Sequence, residues 1–532
     1  MKKTSAILSP MVILMASTSL AQDSCILRPS CADMGYTKTE AQCEGKDSLK
    51  CPFDPTAFFC PEGGTSSSEP ETLTCNFGYL AKNGECVEID NAIAFVINVT
   101  ESNGSIKLYT GSSSGYIIDW GDGTIDNSLS TSSPTHVYAD AGEYQIVITG
   151  NVKNFYINTL TNSYPTRIIN VDLDTVKTYG YYTENSWGVT YKDPFKDCSN
   201  VTGEIPDEIS PNLQEAYKMF YGCTGLTGQI PDLPNTITEA TRMFAGCTGL
   251  TGSIPNLPSS LTKGEAMFSG CTGLTGNIPI IPSSLANAEL MFYGCSGLTG
   301  PISDTLTNLE NGTGMFEECT GLTGNIPTLP SSLTKASSMF RNCSGLTGAI
   351  PNLPTGLSEA TYMFYNCTGL TKIPSNLGSL TNLKDGSYMF HRCENMGGTI
   401  TGFPPNLEDG SYMFYRCFPL SGSIPNLPTS LQRADYMFYN DYYLTSLPSN
   451  LGELTNLTWA QSMFHACQSL GGEISALPPN LKYASNMFNL CKPLTGTAPA
   501  FSNYPSLSGY NSMFKSTKIT NNTSDPWPDS AW

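Results

Sequence analysis

Four tyrosines, Tyr362, Tyr388, Tyr412 and Tyr436, each stand directly before a Met-Phe pair, and Tyr365, His391, Tyr415 and Tyr439 directly follow the same four pairs. Arg392 and Arg416 adjoin two of the second set. Large amphipathic rings beside guanidinium groups are the composition of a recognition surface, because both bury much area while offering directed hydrogen bonds to protein or glycan. If the segments bearing them stack in register, the rings form two neighbouring ladders on one side. The plainer reading is that they pack on one another and cover what lies beneath. Small polar residues at Glu204, Gln229, Ser253, Asn277 and Asn325 mark a second candidate face, on the extended part of each unit.

Catalysis has little raw material. His136, His391 and His465 are the only histidines. No nucleophile elbow, phosphate loop or zinc-binding helix motif is present, and nothing singles out a carboxylate pair of the glycosidase kind. The expectation is a protein that is not an enzyme, with no catalytic residues, cofactor or metal.

The 19 cysteines fall into two groups. Cys25, Cys31, Cys43, Cys51, Cys60, Cys75 and Cys86 crowd the N-terminal part, where they predict a disulfide-stapled module of undetermined pairing with one thiol left over. Cys198, Cys223, Cys247, Cys271, Cys295, Cys319, Cys343, Cys367, Cys393, Cys417, Cys467 and Cys491 recur at near-constant spacing. We read these as repeat core, a buried row of thiols, with disulfide formation and metal ligation as the alternatives.

The wider composition limits the partners. Of 532 residues only 14% are charged, with 27 Lys and Arg against 46 Asp and Glu and a net charge of −19. Neutralising phosphates needs clustered Lys and Arg, so nucleic acid is excluded as a partner and anionic membrane surfaces are disfavoured. Lys2, Lys3, the apolar run through Met11–Met15 and Ser19-Leu20-Ala21 read as a secretory signal over 1–21. No later stretch has the ~18–20 apolar residues of a membrane span. The expected location is secreted or cell-surface.

The elements that position these residues follow from patterning. Residues 22–60 predict the Cys-rich module, 61–72 a flexible linker, and 73–90 a disulfide-closed hairpin turning at Asn83-Gly84. Short strand-like runs over 91–150 predict an all-β sandwich. There Gly121 and Gly123 supply the positive φ of a tight turn, and Asp119 and Asp122 serve that turn or, alternatively, calcium. Residues 151–190 are expected to cap the N-terminal end of the repeats, and 521–532 to form a tail.

From 191 to 520 the chain repeats itself. Met-Phe pairs begin at 219, 243, 267, 291, 315, 339, 363, 389, 413, 437, 463, 487 and 513, nine intervals being 24 residues and three 26. With a degenerate copy at Phe195–Cys198 this makes about fourteen coils. Ala240, Met243, Phe244 and Cys247 fall at i, i+3, i+4 and i+7, which predicts a short helical stretch. Gly249 ends it, and Leu250–Pro255 predicts a short strand stopped by proline. One unit cannot offset its ordering entropy of about 1–2 kcal/mol per residue, so the copies must stack. Asp441 and Thr517 stand where the period calls for cysteine, and 301–312 lacks the usual Ile-Pro-x-Leu-Pro.

Two resemblances follow from these residues. Asp119-Trp120-Gly121-Asp122-Gly123-Thr124, His136-Val137-Tyr138 and Ala141-Gly142-Glu143-Tyr144 together resemble the polycystic-kidney-disease (PKD) type of immunoglobulin-like sandwich, which implies an extracellular spacer or interaction module. Over 190–520 the motif Met-Phe-x-x-Cys-x-x-Leu-x-x-x-Ile-Pro resembles the BspA-like leucine-rich-repeat surface proteins. That resemblance implies a leucine-rich-repeat solenoid that binds host or extracellular protein or glycan, without naming the ligand or the oligomeric state. The expected function is adhesion or recognition. A structural envelope component without a ligand, or a carbohydrate-processing exoenzyme carrying an accessory sandwich, are the alternatives.

Overall fold

The computed structural model describes residues 49–51, 54–59, 79–82, 85–89 and 91–532, apart from 112–113, 172, 180, 186–187, 193, 196–197 and 305. The signal reading at 1–21, the linker at 61–72 and Cys25, Cys31, Cys43, Cys60 and Cys75 fall outside the described residues. The chain divides into two compact units, 1–73 and 74–532. In the first, Leu49–Cys51 pairs antiparallel with Asp54–Phe59. The second opens on the antiparallel pair Tyr79–Lys82 and Glu85–Glu88, in which Cys86 is disulfide-bonded.

Two five-stranded sheets come next. One has the order Ser163–Val171, Ile93–Val99, Gly142–Gly150, Tyr116–Asp119, Ile125–Leu129, and Ile93–Val99 lies almost wholly buried in it. The other runs Glu215–Ala216, Thr178–Tyr179, Asn154–Thr161, Ser105–Tyr109, Thr135–Val137. Phe95 of the first sheet meets Phe155 of the second at 6.0 Å, and Trp120 is fully buried with its indole N–H donated to Asp126 Oδ2 at 3.0 Å. Gly121 and Gly123 take φ of 83° and 91°, as their turn requires, and a Cβ on Gly121 would collide with the Gln145 backbone. Within the expected cap at 151–190, Asn154–Thr161 and Ser163–Val171 are also strands of the sandwich. The sandwich is what closes the repeats. Phe155 pairs parallel with Tyr179, Tyr179 with Ala216, and Ala216 N–H donates onward to the Glu239 carbonyl at 2.8 Å.

The repeats form a solenoid with two parallel ladders. Short strands such as Leu250–Ser253, Leu274–Asn277 and Leu346–Ala349 make one ladder. Single bridges from Glu215 through Glu239, Lys263, Asn287, Asn311 and Lys335 to Glu359 begin the other, which resumes from Asp385 to Gly509. The expected helical stretch is absent: among the described residues no α-helix occurs, and Met-Phe sits in consecutive turns. Met243 N–H donates to the Ala240 carbonyl and Cys247 N–H to that of Phe244, while Arg242 and Gly246 take φ of 56° and 79°. A positive φ at the third turn position matches type II geometry. The alternate amides leave the coil, Arg242 N–H reaching Glu265 and Phe244 N–H reaching Met267. Chained turns return the same face every three or four residues, which is why their apolar spacing imitates a helix. They also leave half of the amides dependent on the next coil, so no coil is satisfied alone.

Side-chain rows run through the interior. Phe220, Phe244, Phe268 and Phe292 stack at 5.5–5.8 Å, and the row continues to Phe514. Gly249 is present for a steric reason: a Cβ there would lie 2.6 Å from the Leu226 carbonyl of the preceding coil. At Gly264 it would lie 3.1 Å from Met291, which explains why only Gly or Ala precedes Met by three residues in most coils. Each 26-residue unit absorbs its extra residues in a 3-10 turn, Leu377–Ser379, Leu451–Glu453 or Phe501–Asn503. Asn376 and Asn450 clamp the preceding coil by bonding both the amide and the carbonyl of Leu353 and Leu427.

Residues 521–532 are a folded end cap. Phe514 N–H donates to the Ala531 carbonyl at 2.9 Å, where another coil would otherwise stand. Trp527 is 2% exposed, packs edge-on against Phe514 at 5.1 Å, and donates its indole N–H to Pro499 at 2.8 Å.

Candidate functional site

The turn geometry decides which residues face outward. Around each Met-Phe pair the residue before Met and the two after Phe stand outside the Met and Phe rows, most of them at least partly exposed, and the first and last of these three take positive φ. Tyr362, Tyr388 and Tyr412 have φ of 58° and Tyr436 56°, and Arg392 and Arg416 have 58° and 61°. Bulky side chains rarely adopt this region, which costs about 1–2 kcal/mol per residue without glycine.

Stacking of the coils lines the rings up. Tyr362, Tyr388, Tyr412 and Tyr436 stack at 4.5, 4.6 and 4.7 Å between centroids, with planes within 11° of parallel. Tyr365, His391 and Tyr415 stack at 4.5 Å, Tyr415 and Tyr439 at 4.8 Å, and Tyr439 and His465 at 4.7 Å. The two rows touch, as Tyr388 and His391 do at 5.5 Å. His465 is a fifth ring that the sequence reading left out, although its place after Met463-Phe464 is the signal that finds it.

Exposure is lower than expected. The ladder tyrosines are half-buried and His391 is only 8% exposed, because each interior ring is covered on both faces by its neighbours. Interior rings therefore offer their edges outward. Ser338 and Ser462 hold the neighbouring positions beyond Tyr362 and Tyr436, so no ring covers the outer faces of those two. Burial, and then Arg392 and Arg416, pull the His391 imidazole down to about 4, so it is neutral near pH 7. Burial and the adjacent Tyr388 and Tyr436 push the Tyr412 phenol up to about 12. Beside the rows Arg392 and Arg416 share Glu394, at 3.6 and 3.4 Å, which leaves one net positive charge. Arg341 lies 5.4 Å from the Tyr365 ring and pairs with Glu317.

The other candidates are plainer. Glu204, Gln229, Ser253, Asn277 and Asn325 are exposed on the strand ladder, with neighbouring hydroxyls such as Thr251 donating to backbone carbonyls. Asp119 Oδ1 accepts the Gly121 N–H at 2.9 Å, and Asp122 accepts from Thr124 and meets His136 at 2.7 Å, so both carboxylates serve the turn. Among the described residues no three His, Cys, Asp or Glu side chains are placed to hold a metal ion, and no helix is long and apolar enough to cross a membrane. The repeat cysteines are all buried. Cys198 and Cys223 form a disulfide and the other ten are free.

Residues 312–445 and 360–495 match the model of the BspA type leucine rich repeat region, in six copies. Residues 189–302 and 214–329 match a family described as Mycoplasma protein of unknown function. The coils over 312–495 thus match leucine-rich-repeat arrays of the BspA type, a family of repeat proteins rather than of enzymes. No curated protein matches the sequence. Among solved structures, a leucine-rich repeat protein from Eubacterium ventriosum ATCC 27560 is similar at 13% identity, covering 79% of this chain and 97% of that one, with a TM-score of 0.27. The plant peptide hormone receptor RGFR1 in complex with RGF2 is similar at 17% identity, covering 65% and 76%, with a TM-score of 0.19. At such scores these likenesses carry no argument about ligand or shape.

Proposed function

We propose that this is an exported surface protein that recognises a host or extracellular protein or glycan through the solenoid, and that the paired ring ladders with Arg392 and Arg416 are its binding face. The observation that carries the reading is the regularity of the display: four tyrosines stack in register before Met beside the row from Tyr365 to His465, whereas the same position holds Lys218, Arg242, Ala266 and Leu290 in earlier coils. BspA-type arrays are typically surface or secreted proteins, which fits the signal-like residues 1–21. Ring edges, phenol hydroxyls and a single net guanidinium charge suit a hydrogen-bonding ligand laid along the rows. Ring-face stacking on a sugar would be confined to the end rings Tyr362, Tyr436 and His465.

The test is binding of the full chain to matrix proteins and glycans, beside a variant carrying Tyr362→Ala, Tyr388→Ala, Tyr412→Ala and Tyr436→Ala whose fold is checked by circular dichroism. A ligand lost in the variant places the site on the ladders. A ligand retained moves it to the strand face, and saturable binding to nothing in the panel favours a structural envelope role.

A further inference from the structure

We propose that the repeat cysteines of the exported protein close in consecutive pairs, Cys247–Cys271, Cys295–Cys319, Cys343–Cys367, Cys393–Cys417 and Cys467–Cys491, continuing the register that Cys198–Cys223 begins. A covalent staple then crosses every second coil-to-coil junction from Cys198 to Cys417, and again the junction from Cys467 to Cys491. The proposal rests on the export reading, since such bonds persist in oxidising compartments.

Three observations carry it. The Cys198–Cys223 bond joins successive coils at a Cα separation of 4.8 Å, inside the usual range for disulfides. The strand register repeats beyond it, Gly203 standing opposite Leu226 as Gly228 stands opposite Leu250. Second, each free thiol reaches back to the preceding coil: Cys247 donates to Phe220 at 2.9 Å, Cys319 to Phe292 at 3.0 Å, and Cys491 to Phe464 at 2.9 Å. Asp441, in a cysteine's place, shows where that reach ends, its Oδ1 accepting the Cys417 N–H at 2.8 Å. Third, the row breaks at a telling place. Ten cysteines run without interruption from Cys198 to Cys417, Asp441 comes next, and Cys467 and Cys491 complete the row. Both runs are even, so a register begun at Cys198–Cys223 consumes every cysteine. A thiol at 441 would be a thirteenth, without a mate and between two others. The carboxyl that replaces it is fully buried, with Oδ2 lacking a hydrogen-bond partner, a substitution that packing alone disfavours.

Each bond forms from two thiols with loss of two protons and two electrons. One thiolate attacks the disulfide of an exported dithiol oxidoreductase, the neighbouring thiolate resolves the mixed disulfide, and the oxidoreductase leaves as a dithiol. Burial pushes the Cys271 and Cys491 thiols up to about 12, so stacked coils resist oxidation and the bonds close while the coils assemble.

The full chain is refolded in a glutathione redox buffer, and separately recovered from the medium of an exporting culture. Both samples are alkylated in denaturant without reductant and mapped by mass spectrometry. The expected result is twelve unlabelled repeat cysteines and cross-linked peptides in the six named pairs. Ten labelled cysteines beside a closed Cys198–Cys223, or offset pairs such as Cys223–Cys247, would overturn the proposal. Six bonds in the refolded chain with no chain present in the medium would uphold the pairing and overturn the export reading instead. Asp441→Cys should add one labelled thiol per chain.

Discussion

The coils from Met219 to Phe316 and those from Met363 to Phe464 share one interior and differ outside. The same Met and Phe rows run through both, and the Cys row is broken only at Asp441, with Phe268–Phe292 at 5.8 Å in the first region and Phe390–Phe414 at 5.4 Å in the second. At the second position after Phe the first region has Gly222, Gly246, Gly270 and Gly294, and then Glu318, all at positive φ, where glycine is free of strain. The second region puts Arg392 and Arg416 there on the same backbone. At the position before Met the first region varies through Lys218, Arg242, Ala266 and Leu290, whereas the second repeats tyrosine four times. Folding constrains the inner rows alone. The outer ones are free to serve a ligand, and only the second region spends them on a regular surface.

The largest effect should be indifferent to region. Phe268→Ala and Phe414→Ala each remove a fully buried ring from the stacked row, and each should lose about 3–5 kcal/mol in denaturant unfolding. A loss confined to one region would break the equivalence of the two interiors.

Acidity should separate them next, because His391 and Asp441, both buried, lie in the second region. His391 has its folded pKa pulled below the ordinary 6.5 to about 4. Its contribution to stability is therefore present above pH 6.5 and lost as pH falls toward 4, on the order of 2–3 kcal/mol at most. Burial holds the Asp441 carboxyl well above 3.8, so its contribution is present below that value and lost as pH rises through its folded pKa. Melting temperatures across pH 4–7 should lose their acid-side decline in His391→Gln and their neutral-side decline in Asp441→Asn. Unchanged profiles in both variants would show that neither group titrates as its burial requires.

The smallest effect concerns strain. Arg392→Gly and Arg416→Gly should leave stability equal or raise it by up to about 1 kcal/mol, since glycine relieves the positive φ. Ligand binding should fall in the same variants. A clear loss of stability would mean that the guanidinium pairs with Glu394 matter more to the fold than the backbone strain does.

Much of the fold and of the candidate face is legible in the sequence, for reasons visible in particular residues. The period of Met-Phe announces stacked coils, and the positions of Tyr362 and Tyr365 relative to it place two ring rows side by side. The helical reading fails because Ala240, Met243, Phe244 and Cys247 share a face equally well in chained turns, and spacing alone does not separate the two. The low exposure of His391 is invisible in the sequence because its cover comes from Tyr365 and Tyr415, 26 and 24 residues away along the chain but at 4.5 Å in space.

By itself the sequence determined the coil period, the inward rows and the identity of the outward residues, because each is a local rule repeated many times. Tertiary structure decided the rest: that the sandwich and Trp527 close the two ends, that the rings show edges rather than faces, and that Cys198 and Cys223 of the repeat row are bonded. Those outcomes depend on which coil edge or ring lies against which, and such contacts exist only once the coils have stacked.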